Sequence, residues 1–141
     1  MASPKSTQQL YETYPCLFPK NIIDCKSGWV LLIDQMCAAI QVYLDNTDLF
    51  GEEKKIEFEF TKIKELHGVL FIEYNGGDEV VKIIVDRCKQ MSYRICEFCG
   101  EAGELYCSSK HRAWSHYKTL CLDHAIALFY YRLYNSKKGV I

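Results

Sequence analysis

Cys96-Glu97-Phe98-Cys99-Gly100 and, after a short excursion, Cys121-Leu122-Asp123-His124 are the residues on which the reading of this chain turns. Two thiols two residues apart form a knuckle, and a Cys and a His at the same spacing face it. A tetrahedral zinc ion takes four soft or borderline donors in this way, as two close pairs. Gly100 belongs to the pattern, because a knuckle turns backbone N–H groups toward the sulfurs and glycine permits that tight turn. Cys121 and His124 lie three apart on what reads as the first turn of the last helix. That spacing puts both side chains on one side of it, where the positive helix end favours thiolate. The expectation is one structural Zn2+ per chain, held by Cys96, Cys99, Cys121 and His124. Unrelated cysteines beside a chance histidine are the weaker reading, since the paired motifs are a strong signal and either alone is not.

Cys107, His111 and His116 lie inside the loop and are spare donors, Cys107 being the one placed to replace Cys121 or His124. The simpler reading packs Cys107 and leaves the histidines on the surface. Cys16, Cys25, Cys37 and Cys88 have no partner spacing, and the last two fall on apolar faces, as buried thiols do. Eight cysteines in a secreted miniprotein would suggest four disulfides. Here Met1-Ala2-Ser3-Pro4-Lys5-Ser6 carries no apolar signal core, and a reducing, cytoplasmic setting with metal plus free thiols is expected instead.

With 49% apolar and 25% charged residues the composition is that of a folded protein. Its 141 residues allow one domain, or a small core plus a metal-stapled unit. The net charge of -1 supplies no overall field for nucleic acid or anionic lipid. No unbroken run approaches the ~18 apolar residues of a bilayer span, so no membrane partner is expected.

Residues 1–6 read as a disordered lead-in, followed by a short helix from Thr7 to Tyr14 that Pro15 stops. Cys16 to Ser27 reads as irregular. Ser27 is a candidate N-cap for a helix to about Asp45, whose stripe is Trp29, Ile33, Met36, Cys37, Ile40 and Leu44. Ile56-Glu57-Phe58-Glu59-Phe60 alternates as a half-buried strand. Val69 to Tyr74 is a second strand, and the two pair as an antiparallel hairpin connected somewhere within Lys62 to Gly68. Asp78 is placed to cap a helix to about Tyr93, with Val80, Ile83, Ile84, Arg87, Cys88 and Met91 on its inner side. A last helix is expected from Cys121 to about Asn135. Its apolar residues, with Phe129, Tyr130, Tyr131 and Tyr134, cover more than one face, as a partner surface or a homodimer contact would.

The fold class is therefore α+β: a small antiparallel sheet flanked by helices over residues 1–95, with a zinc-ribbon-like unit and last helix over 96–141. Between the ligand pairs, Lys110, Arg112, Trp114, Tyr117 and Lys118 interleave cations with aromatics, a pattern that can grip phosphates and stack on bases. The same residues also read as the plain surface of a zinc loop. Neither H-x-E with P-C-x-x-C nor H-E-x-x-H occurs, and Lys110-His111-Arg112 is a faint echo of a zinc-containing nuclease. Glu57, Glu59, Glu65 and Glu73 on the hairpin are a solvated face.

Gly28-Trp29 with Leu32-Ile33-Asp34, Lys64-Glu65 with Gly68 and Leu70, and Ser92-Tyr93 before the knuckle, with Gly103 and Leu120-Cys121-x-x-His124, together form a longer signature. From Gly28 onward the chain resembles a family of small uncharacterised proteins of bacteria and their phages. Leu66-His67 stands where that family has Lys-Phe, and the loop holding Cys107 is longer than usual. The resemblance implies the order of elements and the four ligands but no activity. Its phage and mobile-element setting implies an inhibitor or anti-defence role in a bacterial cytoplasm. The expected function is a non-enzymatic, zinc-stabilised protein that binds a macromolecule, a protein first and a nucleic acid second, with a metal-dependent nuclease third.

Overall fold

The computed structural model describes residues 4–47, 55–108, 117–128 and 130–132, Tyr131 and Arg132 by backbone alone. Part of the expected lead-in, Met1 to Ser3, lies outside them. Helix α1, Thr7–Thr13, starts where Ser6 Oγ accepts the Gln9 N–H at 3.3 Å. It stops at Tyr14, the residue that Pro15 disfavours for helix.

The next stretch is not wholly irregular. It holds strand β1, Ile23–Asp24, which pairs in parallel with Ile63 and Lys64 of β2, Phe58–Leu66. Phe60 N–H and Ile63 N–H donate to Leu17 O and Ile22 O, so the edge of β2 is satisfied from the N-terminal side. The sheet is therefore mixed, β1-β2-β3, rather than antiparallel.

Strand β3, Val69–Gly76, closes the hairpin through His67 and Gly68, both with positive φ, as a two-residue turn requires. Register slips between Phe60 and Lys62. That bulge resets the alternation, so Phe58 and Phe60 point inward and then Ile63, not Lys62, follows them.

A turn of 3-10 helix, Ser27–Trp29, leads into α2, Val30–Asp45. Ser27 is not a cap; its hydroxyl donates to Phe98 O at 3.3 Å. Trp29, Ile33, Met36, Cys37 and Ile40 are buried as their spacing implies, with Leu44 half-buried against them. Ser27–Asp45 is long and apolar enough to cross a bilayer by length and composition, which the count of unbroken apolar residues understated. In this fold its apolar stripe forms the centre of the core.

Helix α3, Glu79–Ser92, is capped by Asp78, whose Oδ1 accepts from Val80 N and Val81 N. Its buried side differs from the expected one. Val81, Val85, Cys88 and Ser92 face the core, whereas Val80, Ile83 and Met91 are exposed. Ser92 Oγ takes the buried Leu70 N–H at 3.0 Å and donates to Lys89 O, which fixes the helix about its axis. Two apolar rows run along this helix, and the smaller side chains fit the sheet.

The C-terminal part holds a second sheet. Strands β4, Glu104–Cys107, β5, Tyr117–Leu120, and β6, Tyr131–Arg132, lie in the order β5-β4-β6, all antiparallel. Helix α4 is Leu122–Ala127 and does not run to Asn135. Leu128 caps it, and Tyr131 and Arg132 pair with Cys107 and Tyr106 instead. An open β4 edge meeting a tyrosine-rich segment favours strand over continued helix.

Candidate metal centre

The site is assembled from one knuckle and one helix start. Ile95 bridges to Ala102, Cys96 N donates to Glu101 O at 2.7 Å, and Gly100 N returns to Cys96 O at 2.9 Å. Gly100 has φ +81, the left-handed turn that the sequence assigns to it. Opposite, Cys121 sits at the N-cap of α4 and His124 lies in its first turn, with Ala125 N bonded to Cys121 O.

Cys96 Sγ, Cys99 Sγ, Cys121 Sγ and His124 Nδ1 converge, all within 4.8 Å of one another. Cys99 and Cys121 sulfurs are 3.7 Å apart, and His124 Nδ1 is 3.6 Å from Cys96 Sγ and 3.1 Å from Cys121 Sγ. Zinc–sulfur bonds of about 2.3 Å set at tetrahedral angles require sulfurs about 3.8 Å apart. The donor set and its spacing thus fit one metal ion and are consistent with zinc. Four protein donors fill a tetrahedral shell.

Local electrostatics follow the same plan. Burial pushes the Cys96 thiol up, but N–H groups of Cys121, Cys99 and Phe98 aimed at its sulfur hold it below its ordinary value. Cys99 is pushed up to about 11, by desolvation first, against the Glu101 N–H and with the Cys96 and Cys121 sulfurs adding to the rise. A cation between the sulfurs reverses that last effect. Phe98 stacks on the His124 ring, centroids 5.4 Å apart, and Lys26 Nζ lies 5.9 Å from the Phe98 ring. Packing orients the His124 ring.

Long-range contacts that the sequence did not reveal join this centre to the rest of the chain. Gly28 N donates to Glu97 O, and Trp29 Nε1 to Ile95 O at 2.9 Å. Thr119 Oγ1 donates to Gly68 O at 2.6 Å, tying β5 to the hairpin turn. Glu97, 2% exposed, accepts Lys118 Nζ at 3.2 Å, and the same ammonium reaches Glu65 at 3.1 Å. Gly28-Trp29, Glu65 and Gly68 stood out in the sequence as parts of the signature on which the resemblance rests, and Lys118 as a candidate contact for a partner or nucleic acid. Glu97 lies within the knuckle, where the sequence assigned it no role of its own.

Of the basic and aromatic loop, Tyr117 and Lys118 are on β5, and Lys118 lies between two carboxylates. Lys110, Arg112 and Trp114 lie outside the described residues, as do the spare donors His111 and His116. Tyr130 packs on the small core of Cys96, Tyr106, Leu120 and Ala125, and Tyr131 is in β6. Phe129 and Tyr134 lie outside the described residues. Cys107 is on β4, half-buried and outside the four-donor cluster. No family model matches this chain, nor does any curated protein or solved structure.

Proposed function

We propose that this chain is a zinc-stabilised protein that acts by binding a macromolecular partner, a protein, and not by catalysis. The convergence of Cys96, Cys99, Cys121 and His124 supports it, because four protein donors leave a zinc ion no position for water or substrate. The centre sits where the knuckle, the start of α2 and β5 meet, so the ion's role is to hold these elements together. The resemblance to bacterial and phage proteins makes a host protein the target to look for.

The test combines metal analysis with partner recovery. Chain purified without added chelator carries one zinc, and that chain as bait retrieves a defined protein at constant stoichiometry. Metal-dependent cleavage of DNA or RNA by the purified chain sinks the reading. The nucleic-acid alternative gains no support from Lys118, whose ammonium is already paired with Glu65 and Glu97.

A further inference from the structure

We propose that the groove between α2 and α3 is the docking site for an acidic amphipathic helix of a partner protein. This rests on the binding function proposed above and names where the partner sits and what it must look like.

The observation behind it is the second apolar row of α3. Val81, Val85 and Cys88 already complete the core side of that helix. Val80, Ile83, Ile84, Arg87 and Met91 form another row at three- and four-residue steps. Of these, Ile83 is 65% exposed, and Val80 and Met91 are each 40% exposed. Scattered surface hydrophobes need no explanation, but a row with helical periodicity marks a surface built for contact. On α2, Leu32, Gln35, Met36 and Ala39 answer it at the same spacing. Between the two rows lies a cavity of about 260 Å³ with Cys88 in its lining.

The groove does not end there. It continues past Met91 to Arg94 and Ile95, then to the half-exposed Leu31 and the Cys99-Gly100 knuckle. Ile83 to Met91 alone spans about 12 Å, or a little over two turns, so a helix laid along it has room for anchors at i, i+3, i+4 and i+7. The metal unit forms one end wall.

Charge chooses the occupant. The charged residues along the groove are Lys5, Arg87 and Arg94, all cationic, in a chain of net charge -1. Among the described residues neither guanidinium has an ion pair or hydrogen bond, whereas Lys62, Lys82 and Lys118 each hold a carboxylate. Arginines beside an apolar floor suit carboxylates flanking apolar anchors. A second copy laid symmetrically on this face sets its own cationic rim of Arg87 and Arg94 toward this one, and like charges repel. A phosphate backbone has nothing to bury on the apolar floor.

The experiment uses the full zinc-loaded chain and a displayed library of about 16-residue peptides, about four helical turns and longer than the groove. Selection is expected to enrich apolar residues at i, i+3 or i+4 and i+7 with Asp and Glu flanking them. Those peptides should bind the Arg87→Glu/Arg94→Glu chain about tenfold more weakly than the wild type. They should not bind the Ile83→Asp/Met91→Asp chain. Metal content and circular dichroism confirm that each variant is folded, and Ile83→Ser replaces any that is not.

A neutral or basic consensus, equal binding to the Ile83→Asp/Met91→Asp chain, or no enrichment overturns the proposal. So does a dimer, or adhesion to anionic phospholipid vesicles, that Ile83→Asp abolishes. A retrieved protein partner that binds these variants as well as wild type overturns the groove while leaving the binding function intact.

Discussion

Gly28 lies against the metal knuckle so closely that a Cβ there would come within 2.2 Å of Cys96 O and 2.4 Å of Glu97 O. Its N–H donates to that Glu97 carbonyl at 2.7 Å. The start of α2 and the first ligand pair therefore share one backbone contact that no other residue permits. Gly28→Ala must push them apart, at a cost of about 3 kcal/mol, the upper range for overpacking a tight interior. Urea unfolding should show the loss, and a chelator-competition titration should show weaker metal binding by the same variant. Wild-type values in both would mean that the contact supports neither element.

Metal removal tests the ligand set directly. Cys96→Ser takes away the one fully buried sulfur among the four donors, and the expected result is metal-free chain with the 96–132 unit unfolded. Structural zinc can contribute on the order of 10 kcal/mol to folding such a unit. Cys107→Ser, outside the cluster, should keep one metal per chain and near-wild-type stability. Mass spectrometry of the native chains distinguishes these outcomes, and a Cys107→Ser chain without metal would reassign the fourth donor.

Why this four-donor cluster was legible in the sequence, and much else was not, has a physical basis. Cys96/Cys99 and Cys121/His124 are local pairs, and a tetrahedral ion imposes their spacing whatever surrounds them. The core stripe of α2 was legible for a similar reason, since periodicity is local and Trp29 to Ile40 fall on one face. The parallel pairing of Ile23 with Ile63 spans 40 residues, and a two-residue strand has no pattern to read. On α3 two apolar rows competed, and the row with larger side chains drew the assignment. Its true phase depends on Ser92 meeting Leu70 N–H, a contact 22 residues apart in sequence. The last helix was overextended because the residues after Ala127 are apolar enough for either element, and the β4 edge decides between them.

Asp78 offers a pH test at the far end of α3. Partial desolvation pushes its carboxyl up, but hydrogen bonds from Tyr43 and from the Val81 and Val80 N–H groups outweigh this and hold it below the ordinary carboxylate range. A lowered folded-state value means that the charge stabilises the native chain at neutral pH. That contribution fades as pH falls from about 4 through the lowered value. Asp78→Ala should therefore lose about 1 kcal/mol at pH 7, as N-cap removal does, and the gap to wild type should narrow in acid. Thermal melts of both chains from pH 7 down to about 3 measure it; a gap unchanged across that range would show that the carboxylate charge contributes nothing.

Lys118 carries the last prediction, because its two readings diverge. As a nucleic-acid contact it would be a free surface cation, and its removal would leave the fold alone. Its ammonium instead bridges Glu65 at 3.1 Å and the buried Glu97 at 3.2 Å, with the lysine side chain 21% exposed. Desolvation pushes Lys118 down, and the charges of Glu97 and Glu65 more than reverse it, so its value is raised. Lys118→Met leaves Glu97 with the Lys26 N–H as its remaining close donor, at 3.4 Å. The expected loss is about 2 kcal/mol, below the range for a fully buried pair because water still reaches the lysine. Adding Glu97→Gln should restore part of it, since the uncompensated charge is then gone. A raised lysine value also places the pH dependence on the alkaline side. The pair's contribution is complete below the ordinary lysine range and disappears as pH climbs through the raised value. Chemical unfolding of the three chains at neutral and at alkaline pH decides the matter. A Lys118→Met chain as stable as wild type would return this lysine to the surface, and loss of nucleic-acid binding in an unstable one would be evidence of damage, not of contact.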